Sequence, residues 1–410
     1  MKIIVKKFGG TSLSDIDRIN RAISYIKKTS LAGYKVVIVV SAMGKETDRL
    51  LTLTDKLEEY RESDDLSVLL SAGEQISSSI FSIILNKQNI KAQSFQGWQI
   101  PILTSEGPDN AYIENIEIKQ IINCLKLGMT PIISGFQGVN KKNRVTTLGR
   151  GGSDTTAVAL AAKLSAVRCD IYTDVDGVYS ADPRIVKEAK KINKINYEEM
   201  LELSSLGAKV LHTRSVQLAL KYNVPLQVLS SFTGKKGTML TKQNNNLEQQ
   251  IIRGIAHSSN EALITLIGIK NKPGISALIF NALSDEGISV DMIVQSGSTA
   301  DSTVTYAFTV AKSDASKSKN IMGALEKELK YTNVLINKSI CKVSIVGLGM
   351  KTNAGVANKM FSELAKNNIN IHVISTSEIK ISVLIDDKYK ELAIRSLHAT
   401  FKLTNIKKND

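Results

Sequence analysis

The chain has 410 residues, of which 43% are hydrophobic and 22% charged, and its formal net charge at pH 7 is +14. At about 100 to 200 residues per domain, this length and composition predict two to four globular domains and exclude a largely disordered chain. We expect neither a membrane span nor a signal peptide, because no apolar run approaches the roughly 18 residues that cross a bilayer and lysines interrupt the apolar N-terminus. The expected location is therefore cytoplasmic.

The cysteines and histidines argue against a structural metal site. The three cysteines are far apart, and the four histidines show no ligand spacing, which fits core packing in a reducing compartment. The basic charge raises the possibility of a nucleic-acid partner, but the lysines are scattered and not interleaved with aromatic residues. A solvated surface is the better interpretation, and the charge would help to attract anionic substrates. We expect no nucleic-acid partner.

In chain order, the first 240 or so residues alternate short β-branched runs with amphipathic stretches, which predicts a layered α/β domain. A helix over residues 15–28 has Ser14 as its expected N-cap, with Asp17 three residues later as in a capping box. A second, alanine-rich helix is predicted over residues 157–164. The candidate strands are residues 2–8, 35–41, 130–134, 169–173 and 226–230. Their carboxyl ends lie near Gly, Ser or Asp, where ligands gather on parallel sheets.

The first strand ends in Lys7-Phe8-Gly9-Gly10-Thr11-Ser12 and leads into the first helix. Glycines allow a ligand to approach the backbone closely, and the amides at a helix start favour anions. Lys7 would then stand beside a transferring phosphoryl group. The competing interpretation is a tight turn that carries a surface lysine.

A second glycine cluster, residues 148–156, precedes the alanine-rich helix. Its amides and hydroxyls form another anion cradle, and Arg150 can hold a carboxylate through two hydrogen bonds. Neither cluster matches Gly-x-x-x-x-Gly-Lys-[Ser/Thr], and the motifs of protein kinases are absent from the sequence. Two anion cradles suit a phosphate donor and an anionic acceptor, so the chain is predicted to be a small-molecule kinase.

Two further segments carry carboxylates. Residues 173–184 follow a strand and are dense in carboxylates and turn residues, which could orient magnesium or nucleotide hydroxyls or form an ordinary loop. Ser71-Ala72-Gly73-Glu74 offers a carboxylate for an ammonium group, although Glu74 in isolation is more typical of a helix start.

Beyond a polar linker predicted at residues 243–250, the chain contains an internal repeat at a spacing of 81 residues. Each unit has the predicted order strand, glycine-led helix, strand, strand, helix. A strand at residues 251–257 would complete the second unit, which makes the first unit an insertion within the second. The matching pairs are Gly274 with Gly355, Phe280 with Phe361, Leu283 with Leu364, Ile288 with Ile369, Ile293 with Ile374, and Ser296 with Ser377.

Taken in order, these motifs strongly resemble those of the aspartokinases. The resemblance covers nearly the whole chain and implies an α/β amino-acid kinase fold, a parallel-rich sheet between helices, over residues 1–245. Two βαββαβ ACT domains would follow, the first over 262–338 and the second over 251–258 plus 339–410. The motifs are residues 7–12, Ser41-Ala42-Met43, Ser71-Ala72-Gly73-Glu74, Phe136-Gln137-Gly138, 149–155 and 172–184.

The resemblance implies ATP-dependent phosphorylation of the β-carboxylate of L-aspartate to 4-phospho-L-aspartate, the first step toward lysine, threonine and methionine. Lys7 and Asp154 would be catalytic, Glu74 would hold the ammonium and Arg150 the α-carboxylate of aspartate, and Mg²⁺ would accompany ATP with no metal held by protein alone. The residues expected to bind ATP are Lys7, Gly9, Gly10, Ser41, Thr173, Asp174, Tyr179, Asp182, Arg184 and Lys209. Those expected to bind aspartate are Thr47, Glu74, Arg150, Gly151, Gly152 and Ser153.

In this family the ACT domains bind effectors and assemble subunits, so we expect inhibition by lysine, threonine or both, and a homo-oligomer. Position 271 is commonly acidic in the family but is Asn here, which leaves the effector open. Two other functions remain possible: a kinase for acetylglutamate, glutamate or uridylate, and a catalytically idle amino-acid sensor. The candidate effector residues are Asn271, Gly274, Ser276, Asp291, Gln295, Asn370, Ile371 and Glu378. They could equally be helix caps and edge-strand polar residues.

Overall fold

The structure is a computed structural model. It describes residues 1–54, 63–206, 210–235, 237–242, 251–297, 303–348, 350, 353 and 355–404. The chain divides into two compact units, one of residues 1–178 and 191–248 and the other of residues 179–190 and 249–410. The predicted linker at residues 243–250 lies outside the described residues.

The first unit is built on a large sheet and a smaller one. The strands are β1 (Ile3–Phe8), β2 (Lys35–Val40), β3 (Ala92–Phe95), β4 (Ile102–Thr104), β5 (Ile113–Ile116), β6 (Thr130–Ser134), β7 (Gln137–Val139), β8 (Val145–Thr147), β9 (Arg168–Thr173), β10 (Lys194–Ile195), β11 (Leu226–Ser230) and β12 (Met239–Leu240). The large sheet has eight strands in the order β10-β12-β11-β9-β1-β2-β6-β3, and the smaller one has four in the order β5-β4-β7-β8. The helices are α1 (Ile16–Leu31), α2 (Glu46–Thr52), α3 (Asp64–Lys87), α4 (Lys119–Lys126), α5 (Gly152–Lys163), α6 (Tyr197–Ser205) and α7 (Thr213–Tyr222).

The centre of the large sheet is parallel, as its apolar strands require. Strand β1 pairs in parallel with both β2 and β9, and its residues are almost all buried. A strand covered on both faces has no polar face, so its sequence is a continuous apolar run and not an alternating one. The carboxyl ends of β1, β2 and β9 therefore meet at one edge of the sheet, which is where Phe8 leads into the first glycine motif.

Two predicted helix starts are wrong by a few residues. The N-cap of α1 is Asp15, not Ser14, since the Asp15 carboxylate accepts a hydrogen bond from the backbone N–H of Arg18 at 2.9 Å. The alanine-rich helix α5 begins at Gly152 and not at residue 157, so the second glycine cluster forms its first turn.

Helix α3 was not predicted, and Glu74 lies in its interior instead of at a helix start. By length and composition alone α3 could cross a membrane, yet half of its most apolar window is buried within the first unit. Its inward face carries Phe81 and Leu85, which pack with Phe8 and Ile38 in the core beside β1 and β2. We therefore interpret α3 as a core helix.

The second unit contains two four-stranded sheets. The strands are β13 (Gly254–Ser258), β14 (Glu261–Lys270), β15 (Val290–Gly297), β16 (Thr303–Ala311), β17 (Asn333–Asn337), β18 (Ile340–Val346), β19 (Val373–Thr376) and β20 (Lys380–Asp386). The helices are α8 (Ile275–Asp285), α9 (Ala315–Ala324), α10 (Glu326–Leu329), α11 (Gly355–Lys366) and α12 (Lys390–Thr400). The sheet orders are β15-β16-β14-β17 and β13-β18-β20-β19. The two repeats are equivalent: β15, β16 and the following helix α9 correspond to β19, β20 and the following helix α12.

Strand β13 pairs antiparallel with β18, which places the segment after the linker beside the second repeat, where the insertion hypothesis puts it. One boundary differs from expectation. Residues 179–190 lie inside the predicted first domain, 1–245, yet they belong to the second unit. The reason is packing: Ala181 and Val186 are buried in a cluster with Ile255, and the backbone N–H of Ile255 donates to the Ser180 carbonyl at 2.7 Å.

Candidate active site

Two neighbouring lysines on β1 point to opposite faces of the sheet, because side chains alternate along a strand. Lys6 is buried, and its ammonium donates to Asp170 at 2.8 Å and to the Tyr172 hydroxyl at 3.0 Å. Lys7 lies on the other face, where its Nζ is 2.6 Å from Oδ1 of Asp154 on α5. The two side chains of this second pair are 11% and 12% exposed, so the pair stays accessible to a ligand. The structure thus brings the two predicted catalytic residues together.

The first glycine motif packs closely against the loop that follows β2. A Cβ atom at Gly10 would lie 2.7 Å from the carbonyl oxygen of Ala42, and the N–H of Gly44 donates to the Gly10 carbonyl at 2.9 Å. A Cβ atom at Gly9 would lie 3.5 Å from Nζ of Lys7. A side chain at Gly9 would fill the space beside the lysine, and one at Gly10 would collide with the loop after β2. The two glycines therefore allow the close packing of this turn and leave room for an anion next to Lys7.

Ser12, in the same motif, was not assigned a role from the sequence. Its hydroxyl is buried and has no hydrogen-bond partner among the described residues. Its oxygen lies 4.0 Å from the position of a Cβ atom at Gly9. A buried hydroxyl without a partner is uncommon and often marks a ligand position.

Glu74 is the most perturbed carboxyl group at this edge. It is 3% exposed, and one oxygen accepts the backbone N–H of Ala42 at 2.9 Å. Its other oxygen has no hydrogen-bond partner among the residues that the structure describes. Burial raises the pKa of Glu74 to about 8, against the smaller opposing effects of the Ala42 N–H and the Lys7 charge. A neutral, buried carboxyl of this kind is poised to ionise when a cation arrives.

Close contact between α3 and the loop after β2 sets the position of Glu74. A Cβ atom at Gly73 would fall 2.8 Å from Cβ of Ala42, so only glycine allows this approach. The hydroxyl of Ser77 donates to the carbonyl of Ser41 at 2.8 Å and fixes the same loop one turn further on. Thr47 lies in α2, which packs against α3.

The second glycine cluster forms the N-terminus of α5. Gly151 is the N-cap in the left-handed region with φ of 69°, which favours glycine. Gly152 and Ser153 are buried in the first turn, while Arg150 is exposed at the tip of the loop. The N-terminal amides of α5, the Lys7 ammonium and the free Arg150 guanidinium together form a cationic region suited to anionic ligands.

Two residues of α7 and its cap support this loop and were not predicted. Arg214 donates to the Leu148 carbonyl at 2.9 Å and to the Ala111 carbonyl at 2.5 Å. His212 lies so close to Gly151 that a Cβ atom there would be 2.3 Å from its ring carbon Cγ. No local sequence pattern could indicate them, because the residues that they contact are at least 60 positions away in sequence.

The residues predicted to face the nucleotide are distributed over both units. Thr173 ends β9, and its hydroxyl donates to Asp174 at 3.1 Å. Tyr179, Asp182 and Arg184 belong to the second unit, where Arg184 and Asp182 form an ion pair of 2.6 Å that lowers the pKa of Asp182. Lys209 lies outside the described residues.

The candidate effector residues are mostly exposed positions of the second unit. Gly274 caps α8 with φ of 93°, and the hydroxyls of Ser276 and Tyr306 are 2.8 Å apart. Asp291, one of these candidates, pairs with the buried ammonium of Lys342. The remaining candidates, Asn271, Gln295, Asn370, Ile371 and Glu378, lie at exposed or half-buried positions on loops and edge strands.

Among the described residues, no group of three or more His, Cys, Asp or Glu could hold a metal ion. The catalytic chemistry available at the site is thus a lysine paired with an aspartate, open glycine backbone, and a buried carboxyl. Such groups position anions and stabilise charge; they do not form a nucleophilic triad.

Comparison with known proteins defines the class first. Residues 2–230 match the model of the amino acid kinase family, and residues 264–324 and 343–401 match that of an ACT domain. An aspartate kinase of Stutzerimonas stutzeri is 46% identical over 404 residues, 98% of each chain. The chain belongs to the aspartate kinase family and is an enzyme of that class.

Solved structures agree with this assignment. The structure of E. coli aspartokinase III in complex with aspartate and ADP, described as its R-state, is 28% identical, with a TM-score of 0.82 over 97% of this chain and 99% of that one. The same enzyme with lysine and aspartate, described as its T-state, gives a TM-score of 0.76 at 28% identity over 98% of this chain and 100% of that one.

Proposed function

We propose that the chain transfers the γ-phosphoryl group of ATP to the β-carboxylate of L-aspartate and releases 4-phospho-L-aspartate, the first step toward lysine, threonine and methionine. The observation that carries this proposal is the Lys7–Asp154 pair of 2.6 Å, held between two glycine loops within reach of anionic ligands. The aspartate and ADP bound by the E. coli structure support the same donor and acceptor.

The proposed mechanism relies on positioning and electrostatics. A carboxylate is already nucleophilic, so the reaction needs no general base and no covalent enzyme intermediate. When ATP binds, Lys7 moves from Asp154 to the transferring phosphoryl group and stabilises its negative charge. Gly9 and Gly10 let the phosphates approach the backbone. Asp154 holds the lysine in place before ATP binds.

The acceptor, aspartate, would be held through the two charged groups on its α-carbon. Glu74 takes the ammonium group, and Arg150 takes the α-carboxylate through two hydrogen bonds, with Thr47, Gly151, Gly152 and Ser153 lining the site. These contacts leave the β-carboxylate free to face the phosphoryl group.

The other ATP contacts would come from Ser41, Thr173, Asp174, Tyr179, Asp182, Arg184 and Lys209. Mg²⁺ would accompany ATP through the phosphate oxygens, because the described residues offer no cluster of their own for it.

The second unit would make the enzyme sensitive to lysine, threonine or both, and would assemble the chain into a homo-oligomer. The lysine bound by the T-state E. coli enzyme supports a lysine effector. Steady-state assays with each amino acid alone and with both combined would decide the effector. Unchanged rates in all three conditions would show that the two ACT repeats do not respond to these amino acids, which would leave subunit assembly as their role.

Lys7→Met tests the catalytic assignment. We expect turnover to be lost because the variant removes the cation that meets the phosphoryl group. The circular-dichroism spectrum should show an intact fold, with a lower unfolding temperature because Asp154 loses its partner. Lys2→Met, at an exposed position just before the same strand, is the matched control and should retain full activity. Near-normal turnover in the Lys7 variant would contradict the site.

A coupled ADP-release assay across aspartate, glutamate and acetylglutamate tests the acceptor. We expect turnover with aspartate alone. Turnover with another acceptor would reassign the substrate, and no ADP release with any of them would favour an idle sensor.

A further inference from the structure

We propose that Arg214 is a positioning residue for aspartate: it fixes the loop that carries Arg150, and so sets the affinity for the substrate's α-carboxylate. This inference rests on the proposed function, in which Arg150 binds that carboxylate.

Arg214 joins two separate parts of the chain. Its Nη1 donates to the carbonyl of Leu148 at 2.9 Å, and its Nη2 donates to the carbonyl of Ala111 at 2.5 Å. The guanidinium group also lies 4.7 Å from the centre of the Tyr112 ring. A planar guanidinium can serve two acceptors and an aromatic face at once, whereas an ammonium group has no such fixed geometry. Arg214 therefore ties the start of the Arg150 loop, at Leu148, to the neighbouring segment that contains Ala111 and Tyr112.

The end of the loop is supported from the same helix. His212 is the residue before α7, and its ring lies where a side chain at Gly151 would otherwise be, with the ideal Cβ of Gly151 2.3 Å from Cγ of His212. The loop is thus contacted on both sides of Arg150, by Arg214 at Leu148 and by His212 at Gly151. Between these supports the Arg150 side chain is exposed and free to meet a ligand.

This arrangement affects substrate binding more than the chemical step. The α-carboxylate of aspartate is remote from the reacting β-carboxylate, so its contact with Arg150 is made equally in the ground state and the transition state. Loss of such uniform binding raises KM and leaves kcat almost unchanged. A loosened loop should act in the same way, because binding then has to order the Arg150 side chain that the rigid loop holds in advance.

The test is a double-mutant cycle that combines Arg214→Met with Arg150→Ala in the full-length enzyme. We expect Arg214→Met to raise KM for aspartate about tenfold, with KM for ATP and kcat within about twofold of the parent. In the Arg150→Ala background, the same change should have almost no further effect on KM for aspartate, because the side chain that it positions is gone. Lys221→Met, near the other end of α7, is the matched control and should change neither constant.

Arg214→Lys separates geometry from charge and also serves if the Met variant does not fold. A lysine keeps the positive charge but loses the planar fork that serves both carbonyls, so KM for aspartate should still rise several-fold.

If Arg150→Ala raises KM for aspartate but both Arg214 variants leave it unchanged, the role of Arg214 is wrong and the proposed function stands. The inference would also be overturned if the double variant raised KM for aspartate by the product of the two single effects, because the two residues would then act independently. If Arg150→Ala itself leaves KM for aspartate unchanged, the assigned acceptor site is wrong and this inference falls with it.

Discussion

The buried carboxyl of Glu74 predicts that aspartate binding releases a proton. With a pKa of about 8, this group is ionised in only about one-tenth of free enzyme molecules at pH 7. An ammonium group binds the ionised form, so each binding event must first remove the proton. That step costs about 1.4 kcal/mol at pH 7 and becomes negligible above about pH 9.

The expected result is a KM for aspartate that falls about fivefold between pH 7 and pH 8 and levels off near pH 9, about tenfold below its value at pH 7. Glu74→Gln should raise KM and remove this slope, because the amide does not titrate. Both enzymes see the same ionisation of the substrate, so the ratio of their KM values isolates Glu74. Glu114→Gln, at an exposed position, is the control and should keep the parental slope.

Two measurements check the reasoning. Steady-state kinetics from pH 6.5 to 9 give the slope, and calorimetry in buffers of different ionisation enthalpy counts the protons released per aspartate bound. Identical pH slopes in the parent and in Glu74→Gln would refute the assigned role. Stability provides an independent check: a carboxyl whose pKa rises from 4.5 to about 8 on folding destabilises the protein progressively as pH rises between those values. Glu74→Gln should therefore raise the unfolding temperature most at alkaline pH.

Two further predictions concern the second unit. Lys342→Met should lower the free energy of unfolding by about 2 to 3 kcal/mol in denaturant titration, because it leaves the carboxylates of Glu261 and Asp291 without their shared ammonium; the loss stays below that for a fully buried pair because Asp291 is exposed. Equal stability of the variant would show that the cluster contributes nothing. Burial lowers the pKa of His398 from 6.5, so the unfolded chain binds a proton more readily and stability should fall as pH drops below about 6.5. His398→Gln should flatten this dependence in thermal melts, and a dependence that survives unchanged would assign it to other groups.

The parallel core of the first unit was predictable because its strands are buried on both faces and so form continuous apolar runs. The strands at residues 130–134 and 226–230 have the predicted bounds. The three strands with Lys7, Ser41 and Thr173 near their carboxyl ends each differ from prediction by one residue at one end.

Other features depend on tertiary contacts that no local pattern shows. Helix α3 lacks a clear polar face, because its buried side carries several serines and Glu74 while Ile76 and Ile83 are exposed. The Arg214 brace joins residues 66 and 103 positions apart. Pairing of Asp291 with Lys342 likewise brings together two separate strands, so an acid that suited an effector in sequence already has a partner in the fold.

Residues 179–190 belong to the second unit although they lie between two segments of the first, and this affects how the units can be produced separately. The chain passes between its two units at 178, at 190 and at 248, so a single cut cannot separate them cleanly. A fragment ending near residue 242 would keep Ala181 and Val186 but lose the apolar neighbours that bury them. Such a truncated kinase would expose a new apolar surface that promotes aggregation. Low activity or poor solubility of the fragment would therefore not show that the second unit regulates the enzyme. A cleaner separation would replace residues 179–190 with a short polar link.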